Sequence, residues 1–177
     1  MKSQPSELIL QIERIDTPTG RMLVVNDERG QLRAIDWEDH EQRMQRLLGR
    51  YYRETQLILR EVARKSAARR ALDAYFAGEL RAIEELKTAT NGTQFQSEVW
   101  SALRRIPSGR TLSYGALAST IGRPAAVRAV GLANGANPIA IVVPCHRVIG
   151  ANAMLTGYGG GLERKRWLLA HEGDRTR

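Results

Sequence analysis

The sequence has little of the chemistry that builds disulfides and metal sites. Its 177 residues include one cysteine and three histidines. A single cysteine cannot form an internal disulfide. One cysteine and three histidines also cannot provide the cysteine-rich ligands of a structural zinc site. The composition therefore excludes a disulfide scaffold, and we expect no metal.

Long apolar runs are missing as well. No uninterrupted apolar run approaches the ~18 residues of a membrane-spanning helix. The sequence also lacks the charged start, apolar core and cleavage site of a signal peptide. We therefore expect a cytoplasmic protein with no membrane partner, of one domain or two small ones.

Acidic side chains become scarce in the second half of the sequence. Residues 1–93 hold 16 basic and 15 acidic side chains, whereas residues 94–177 hold 11 basic and 4 acidic ones. A basic half is typical of a chain that binds nucleic acid phosphates. A basic surface that only keeps the protein soluble explains the charge equally well.

The first half predicts an α/β unit with an antiparallel sheet. Apolar and alternating segments separated by turn residues predict a three-stranded meander over 8–15, 21–26 and 32–37. Apolar residues at helical spacing predict helices over 39–50 and 67–77, which should cover one face of that sheet.

No catalytic constellation stands out in this half. Asp36, Glu38 and Asp39 form a carboxylate cluster, and we interpret it as the solvated start of a helix, where negative charge is favourable. The small polar segment 88–92 predicts a domain boundary, with domains over 1–92 and 93–177.

The second half begins with helical signals. Thr93 and Gln96 have the spacing of a capping box, which predicts a helix over 94–105. Ser113 can cap a second helix that Gly122 ends, and Pro124 suits the first turn of a third helix. Two short helices joined at residues 122–123 are typical of a helix-turn-helix.

The third helix of this unit would have an inner face of Val127, Val130 and Leu132. It carries Arg128 among small residues such as Ala129 and Gly131, so it can lie close to a DNA groove or to another helix. Many helix pairs of this kind have only a structural role, but the position of this pair in the basic half of the chain favours DNA binding.

The single cysteine has unusual neighbours. Residues 139–143 predict a buried strand, and Cys145 follows its end. A lone cysteine is usually a small buried hydrophobic residue, but His146 and Arg147 come directly after it and favour the nucleophilic thiolate. Adjacent side chains of an extended chain point apart, so we expect a water between sulfur and imidazole, with Glu172 orienting the ring.

The segment 144–148, with the sequence PCHRV, resembles the signature of the O6-alkylguanine-DNA alkyltransferases. The resemblance covers most of residues 93–177, and the first half is similar only in outline. Its further matches are Ser113-Tyr114-Gly115, Arg128-Ala129-Val130-Gly131, Asn137-Pro138, Thr156-Gly157-Tyr158 and Glu172-Gly173.

The resemblance implies direct, stoichiometric DNA repair. In this family the cysteine takes the alkyl group from O6 of a flipped-out guanine and keeps it. Cys145 matches that nucleophile, His146 the water-bridged base and Glu172 the residue that orients it. Asn137 matches the residue that braces the active-site turn, and Tyr114 the one that assists nucleotide rotation and meets the departing base.

The same resemblance implies a DNA interface and a base pocket. Arg128 matches the finger that fills the gap in the duplex, and Tyr158 lines the pocket. The remaining residues that we assign to the DNA interface are Arg123, Ala129 and Gly131, together with Tyr114, and those of the pocket are Val148, Gly159 and Asn134. Some relatives have an apolar residue at the position of Asn134.

The implied fold is a small ribonuclease-H-like α/β domain followed by a helix-turn-helix, winged-helix-like catalytic domain that enters the minor groove of double-stranded DNA. We expect a monomer. The sequence does not decide whether the protein binds DNA cooperatively or acts on O4-alkylthymine. The glycine-rich segment 157–161 lacks dinucleotide-binding spacing, so we expect no cofactor and interpret it as a wing or a pocket lip.

Two other functions remain alternatives. One is a non-catalytic DNA-damage-binding protein of the alkyltransferase-like class, which lacks the reactive cysteine. The other is a helix-turn-helix regulator in which Cys145 is structural or redox-sensing. Both predict DNA binding without alkyl transfer.

Overall fold

A computed structural model describes residues 6–173. Its main sheet has the strand order β3-β2-β1-β4. The strands are β1 Ser6–Thr17, β2 Gly20–Asp27, β3 Leu32–Trp37 and β4 Thr55–Glu61. The antiparallel meander of the first three strands is confirmed, and the sequence reading missed β4, which pairs in parallel with β1 at the edge of the sheet.

Six α-helices accompany the sheet within residues 6–173. They are α1 Glu41–Tyr51, α2 Ala67–Phe76, α3 Gln94–Arg104, α4 Tyr114–Thr120, α5 Val127–Gly135 and α6 Leu162–His171. A 3-10 helix, Glu38–His40, precedes α1.

Helices α1 and α2 lie on opposite faces of the sheet. Met44 of α1 packs in one apolar cluster with Leu23 of β2, whereas Leu72 of α2 packs in another with Met22. The prediction that both helices cover one face is therefore wrong. Residues 22–25 are all fully buried, and because successive strand residues point to opposite faces, each face needs its own cover.

The helix-turn-helix is formed by α4 and α5, packed against α3. Thr93 and Gln96 make the predicted capping box, and the Ser113 hydroxyl accepts a hydrogen bond from the amide of Ala116. Helix α5 begins at Val127 rather than at Pro124, because Pro124 lies in a turn that the Ala126 N–H to Arg123 carbonyl bond closes.

The inner face of α5 also differs from the prediction. Val130 is fully buried, but Val127 and Leu132 are 40% and 70% exposed. Ala133 and Asn134 occupy the buried positions instead. The later start of α5 partly explains the exposure of Val127, because this residue lies in the first turn of the helix, directly after a solvent-exposed loop.

The predicted strand over 139–143 is a buried turn. Ile139 forms only an isolated bridge with Ile35, and Ile141 has a left-handed φ of 69°. The Val143 N–H donates a hydrogen bond to the Ile139 carbonyl at 3.0 Å. The two ends of an extended five-residue strand lie too far apart to form such a bond. After this turn comes the 3-10 helix Cys145–Arg147.

A winged hairpin does not follow α5 within the described residues. Instead, two strands of two residues each, β5 Leu112–Ser113 and β6 Val148–Ile149, pair in parallel.

No helix within residues 6–173 is long and apolar enough to cross a bilayer. One apolar cluster joins both halves, from Trp37 and Leu72 to Val130 and Leu168.

Candidate active site

Cys145 is the first residue of the 3-10 helix between α5 and β6, and it is 6% exposed. A narrow cavity reaches it. The side chains that line this cavity with Cys145 come from both halves of the chain and include Asp36, Arg43, Asn134, Asn137 and Tyr158. The structure therefore brings together residues that are more than 100 positions apart in the sequence.

Asn137 holds the active-site turn and touches the sulfur. Its Nδ2 donates to the Val143 carbonyl at 2.7 Å and lies 3.1 Å from Cys145 Sγ, while its Oδ1 accepts from the Ile139 amide at 2.9 Å. A side chain that donates to sulfur favours the thiolate over the thiol. Asn137 thus combines a structural and an electrostatic contribution.

His146 and Glu172 lie together in the core behind the cysteine. His146 Nε2 is 2.9 Å from Glu172 Oε1, and both side chains are fully buried. A carboxylate accepts, so Nε2 carries the hydrogen and Nδ1 is left as the basic nitrogen. Nδ1 is buried and has no hydrogen-bond partner among the described residues. The ring and the sulfur share no direct hydrogen bond there.

Arg147 is hydrogen-bonded to Glu172 and not to the sulfur. Its guanidinium donates to both oxygens of Glu172, at 2.8 and 2.9 Å, and to the Ile106 carbonyl at 2.6 Å. Tyr75 of α2 donates to Glu172 Oε1 as well, at 2.7 Å. Glu172 is therefore the centre of a buried network that fixes the imidazole.

Burial sets the resting protonation states. It raises the pKa of the Cys145 thiol, against the opposing effects of Asn137, Arg43 and Lys165. It lowers the pKa of His146 despite Glu172. Burial alone would raise the pKa of Glu172, but hydrogen bonds and charge from His146 and Arg147 hold it well below its usual range.

The resting site is therefore a thiol, a neutral imidazole and a carboxylate. The expectation that His146 and Arg147 favour the thiolate stays a prediction: burial is the largest influence on the pKa of the thiol, and Arg147 is hydrogen-bonded to Glu172. The cations that favour the thiolate are Arg43 and Lys165.

Arg43 and Asp36 are site residues that sequence reasoning missed. Arg43 of α1 donates to Asp36 Oδ2 at 2.7 Å and to the Gly135 carbonyl at 2.8 Å. Asp36 is 1% exposed, so the interpretation of its carboxylate as solvated is wrong, and burial raises its pKa against the effect of Arg43. The sequence did contain a signal for this. Asp36 lies two residues after Ala34 and therefore on the same face of β3, the face that α1 covers, and a carboxylate buried there needs a positively charged partner.

Lys165 is the other missed residue. It is fully buried, and its Nζ donates to the carbonyls of Val148 and Thr156 at 2.6 and 2.9 Å. Burial lowers its pKa to about 8. Lys165 thereby ties β6 to Thr156, the residue directly before the glycine-rich segment, and residues 157–160 of that segment line the cavity. That segment is a pocket lip rather than a wing.

The lip approaches the amino-terminal half closely. A Cβ on Gly159 would lie 2.7 Å from the Arg43 guanidinium, and one on Gly160 would overlap the Trp37 ring. A side chain at position 160 would have to displace the fully buried Trp37 ring, so glycine is needed there. Tyr158 packs edge-on against Trp37, and its buried hydroxyl has no partner among the described residues. The prediction that Val148 lines the pocket is wrong, because this residue is fully buried in the core and is not among the residues that line the cavity.

The residues expected at a DNA interface lie on and beside α5. Arg128 and Ala129 are exposed, and Gly131 faces the half-buried Tyr114, whose ring is 3.8 Å from a Cβ built on that glycine. Arg123 is exposed too, but it forms an ion pair with Glu98 at 3.1 Å and lies over the Phe95 ring. Arg128 has no such partner within residues 6–173.

Comparisons with known proteins match both halves of the chain. Residues 12–90 match the ribonuclease-like domain of 6-O-methylguanine DNA methyltransferase, and residues 94–174 match its DNA binding domain. The methylated-DNA–protein-cysteine methyltransferase of Salmonella typhimurium is 55% identical over 91% of this chain and 94% of that protein. Its counterpart from Methanosarcina acetivorans is 46% identical over 89% and 95%.

Solved structures give the same result for the fold. Mycobacterium tuberculosis OGT in complex with DNA superposes with a TM-score of 0.74, at 43% identity, over 93% of this chain and 94% of that one. The structure of the O6-methylguanine methyltransferase of the same organism gives a TM-score of 0.73, at 41% identity, over 95% of each chain. The chain belongs to the 6-O-methylguanine DNA methyltransferase family.

Proposed function

We propose that the protein repairs DNA by direct reversal: Cys145 takes the alkyl group from O6 of an alkylated guanine in a single turnover. The observation that carries this is the buried Cys145 sulfur, which lies at the end of a cavity within 3.1 Å of Asn137 and next to the His146–Glu172 pair. The relatives named above are methylated-DNA–protein-cysteine methyltransferases, and one of them is known in complex with DNA.

Access to the lesion requires base flipping. The O6 position lies inside the duplex, so the nucleotide must rotate out of the stack at a cost of a few kcal/mol. The exposed face of α5 suits close approach to the minor groove, because its residues beside Arg128 are small. In this proposal Arg128 fills the gap left in the stack, and Tyr114 assists rotation and donates to the departing base.

Activation of the thiol follows from the resting protonation states. The neutral His146 takes the thiol proton at Nδ1 through a bridging water, and Glu172 stabilises the resulting imidazolium through Nε2–H. Asn137 Nδ2 and the charges of Arg43 and Lys165 stabilise the thiolate.

The transfer itself exchanges one bond for another. The thiolate attacks the alkyl carbon, the S–C bond forms, and the bond between carbon and O6 breaks. Its electron pair stays on the guanine, which takes a proton as it leaves. The product thioether has no good leaving group and the chain has no second cysteine, so one protein molecule repairs one lesion without a cofactor.

The test is intact-mass spectrometry of the protein after incubation with a duplex that contains O6-methylguanine. We expect a gain of one methyl group per protein molecule, one restored guanine per methylated protein, and no gain with an unmodified duplex. Cys145→Ser should bind the same duplex without a mass gain. A wild-type protein that binds the duplex and keeps its mass would instead support a non-catalytic damage-binding protein.

Four expectations remain predictions beside this proposal. They are the domain boundary between residues 92 and 93, the monomeric state, the cytoplasmic location and the absence of a cofactor.

A further inference from the structure

The carboxyl-terminal half of α5 exposes no charge. Arg128, in the first turn, is the only charged residue of this helix, and the exposed residues of its second half are Leu132 and Gly135. Arg128 and Gly135 lie about 10 Å apart along the helix axis. DNA presents phosphates along the whole length of a groove. A helix in that groove with one cation therefore leaves the phosphates near its carboxyl-terminal end without a positive partner of its own.

Helix α1 of the amino-terminal half packs against this end of α5. Arg43 Nη2 donates to the Gly135 carbonyl at 2.8 Å. The Tyr51 hydroxyl donates to the Ala136 carbonyl at 2.6 Å. Arg50 lies seven residues after Arg43 and therefore on the same face of α1, since seven residues complete almost two turns. Arg50 thus borders the end of α5 that has no cation.

Electrostatics gives the same placement for Arg50. Burial raises the pKa of Tyr51, and the charges of Arg50 and Arg43 act against this effect. Because such an influence requires a short distance, the Arg50 charge lies close to the hydroxyl that touches the end of α5. The Arg50 side chain is exposed and forms no hydrogen bond or ion pair within residues 6–173. Its guanidinium is therefore available to an anion.

A second exposed arginine of α1 has different surroundings. Arg46 lies in a surface depression that Glu38, Asp39 and Glu41 also line. These carboxylates make the approach of a phosphate less favourable. Arg50 lies one turn further along α1, away from them. The two arginines are therefore alike in charge and exposure and differ in the partner that their surroundings favour.

We propose that Arg50 contacts a backbone phosphate of bound DNA, so that the amino-terminal half extends the DNA interface beyond the helix-turn-helix. The inference rests on the proposed action on DNA and adds a second contact region to it. Arg43, on the same face of α1, lines the cavity that leads to Cys145. This face of α1 therefore borders the side of the protein through which a base must enter, and Arg50 neutralises a phosphate where α5 has no cation.

The first test is the salt dependence of binding to an unmodified duplex. Each phosphate that a protein neutralises contributes about 0.9 to the slope of log K against log salt concentration. We expect Arg50→Gln to reduce this slope by about 0.9. The affinity should fall roughly eightfold at about 0.1 M salt and hardly at all near about 1 M salt. Arg50→Lys keeps the charge and should retain the wild-type slope, and so should Arg46→Gln, which removes an equal charge from α1.

The second test identifies the group that Arg50 contacts. The phosphates of the duplex are replaced one at a time by uncharged methylphosphonates, and binding is measured for wild type and Arg50→Gln. We expect one position at which the wild type loses affinity and Arg50→Gln does not, because both changes remove the same interaction, as in a double-mutant cycle. Arg46→Gln should remain sensitive at that position. Transfer from free O6-benzylguanine should be unchanged in Arg50→Gln, which checks that its active site is intact.

Equal slopes for wild type and Arg50→Gln, or the lack of any phosphate to which only Arg50→Gln is insensitive, would overturn the contact. A slope reduced as much in Arg46→Gln would mean that only net charge matters, and a slope lost in Arg50→Lys would mean that Arg50 acts through structure; each result overturns the contact. Both tests measure binding and not transfer. A protein that shows the expected slopes but gains no methyl group would keep the contact and overturn the proposed alkyl transfer.

Discussion

Residues 94–173 carry the cysteine, its histidine and the exposed helix α5, whereas residues 6–93 carry none of the signature but hold the cysteine segment in place. Ile35 of β3 donates its amide to the Pro138 carbonyl at 2.9 Å, and Tyr51 of α1 donates its hydroxyl to the Ala136 carbonyl at 2.6 Å. The reactive group is therefore local in the sequence, while its support and part of its electrostatic field come from distant elements.

Glu172→Gln is expected to have the largest effect, because it removes the charge at the centre of the carboxyl-terminal network. Arg147 would remain buried without a carboxylate, and breaking a buried pair in this way costs about 3–5 kcal/mol. Urea denaturation should show this loss, and methyl transfer should slow because the imidazolium loses its counter-charge. Glu163→Gln, an exposed position on α6, is the control. Similar stability in the two variants would refute the network.

Arg43→Gln tests the contribution of the amino-terminal half. It removes a cation that favours the Cys145 thiolate and leaves Asp36 buried without its partner. Without this cation the pKa of the thiol rises further, so we expect transfer to slow by about tenfold at neutral pH, which corresponds to about 1.4 kcal/mol of activation free energy, and to recover in alkaline buffer. Arg46→Gln, an exposed arginine one turn further along α1, should behave as wild type. A rate reduced equally at every pH would mean that Arg43 acts through structure alone.

Arg128→Ala compares two exposed arginines of the helix-turn-helix. Arg128 has no partner within the described residues, whereas Arg123 is paired with Glu98. We expect Arg128→Ala to slow repair of a duplex by about tenfold, which corresponds to an activation free energy raised by about 1.4 kcal/mol. Transfer from free O6-benzylguanine should remain nearly unchanged, because a free base needs no flipping. Arg123→Gln should have a smaller effect on the duplex. Equal slowing of Arg128→Ala on both substrates would contradict its role as a finger.

The smallest effect is the pH dependence of stability through His146. Its pKa is lowered in the folded protein, so below the ordinary value of about 6.5 the unfolded chain binds a proton that the native chain does not. The free energy of unfolding should therefore decrease as the pH is lowered below that value, by up to about 1.4 kcal/mol per pH unit. Urea midpoints at pH 5 and 7 should differ more for wild type than for His146→Gln. The same difference in both would exclude a buried neutral histidine.

The elements that follow from local pattern were predictable. The capping box of Thr93 and Gln96 defines the start of α3, and alternation defines β1 to β3. The edge strand β4 was missed because its register depends on pairing with β1. The segment 139–143 was interpreted as a strand because it is apolar and short, but the Asn137 side chain, outside that segment, bends it into a turn.

The candidate site divides in the same way. Cys145, His146 and Glu172 could be proposed from neighbouring residues and the resemblance. Arg43, Asp36 and Lys165 could not, because their meaning depends on contacts between elements that lie far apart in the chain. The sign of the Cys145 pKa shift was also beyond sequence reasoning, since it depends on burial rather than on the adjacent residues.

The most direct measurement is peptide mass spectrometry of the protein after reaction with a duplex that carries an isotopically labelled O6-methyl group. We predict that the label is found on the peptide that contains Cys145, as S-methylcysteine, and on no other peptide. A label on another residue, or a label that stays on the DNA while the guanine is not restored, would contradict the assignment of Cys145 as the acceptor.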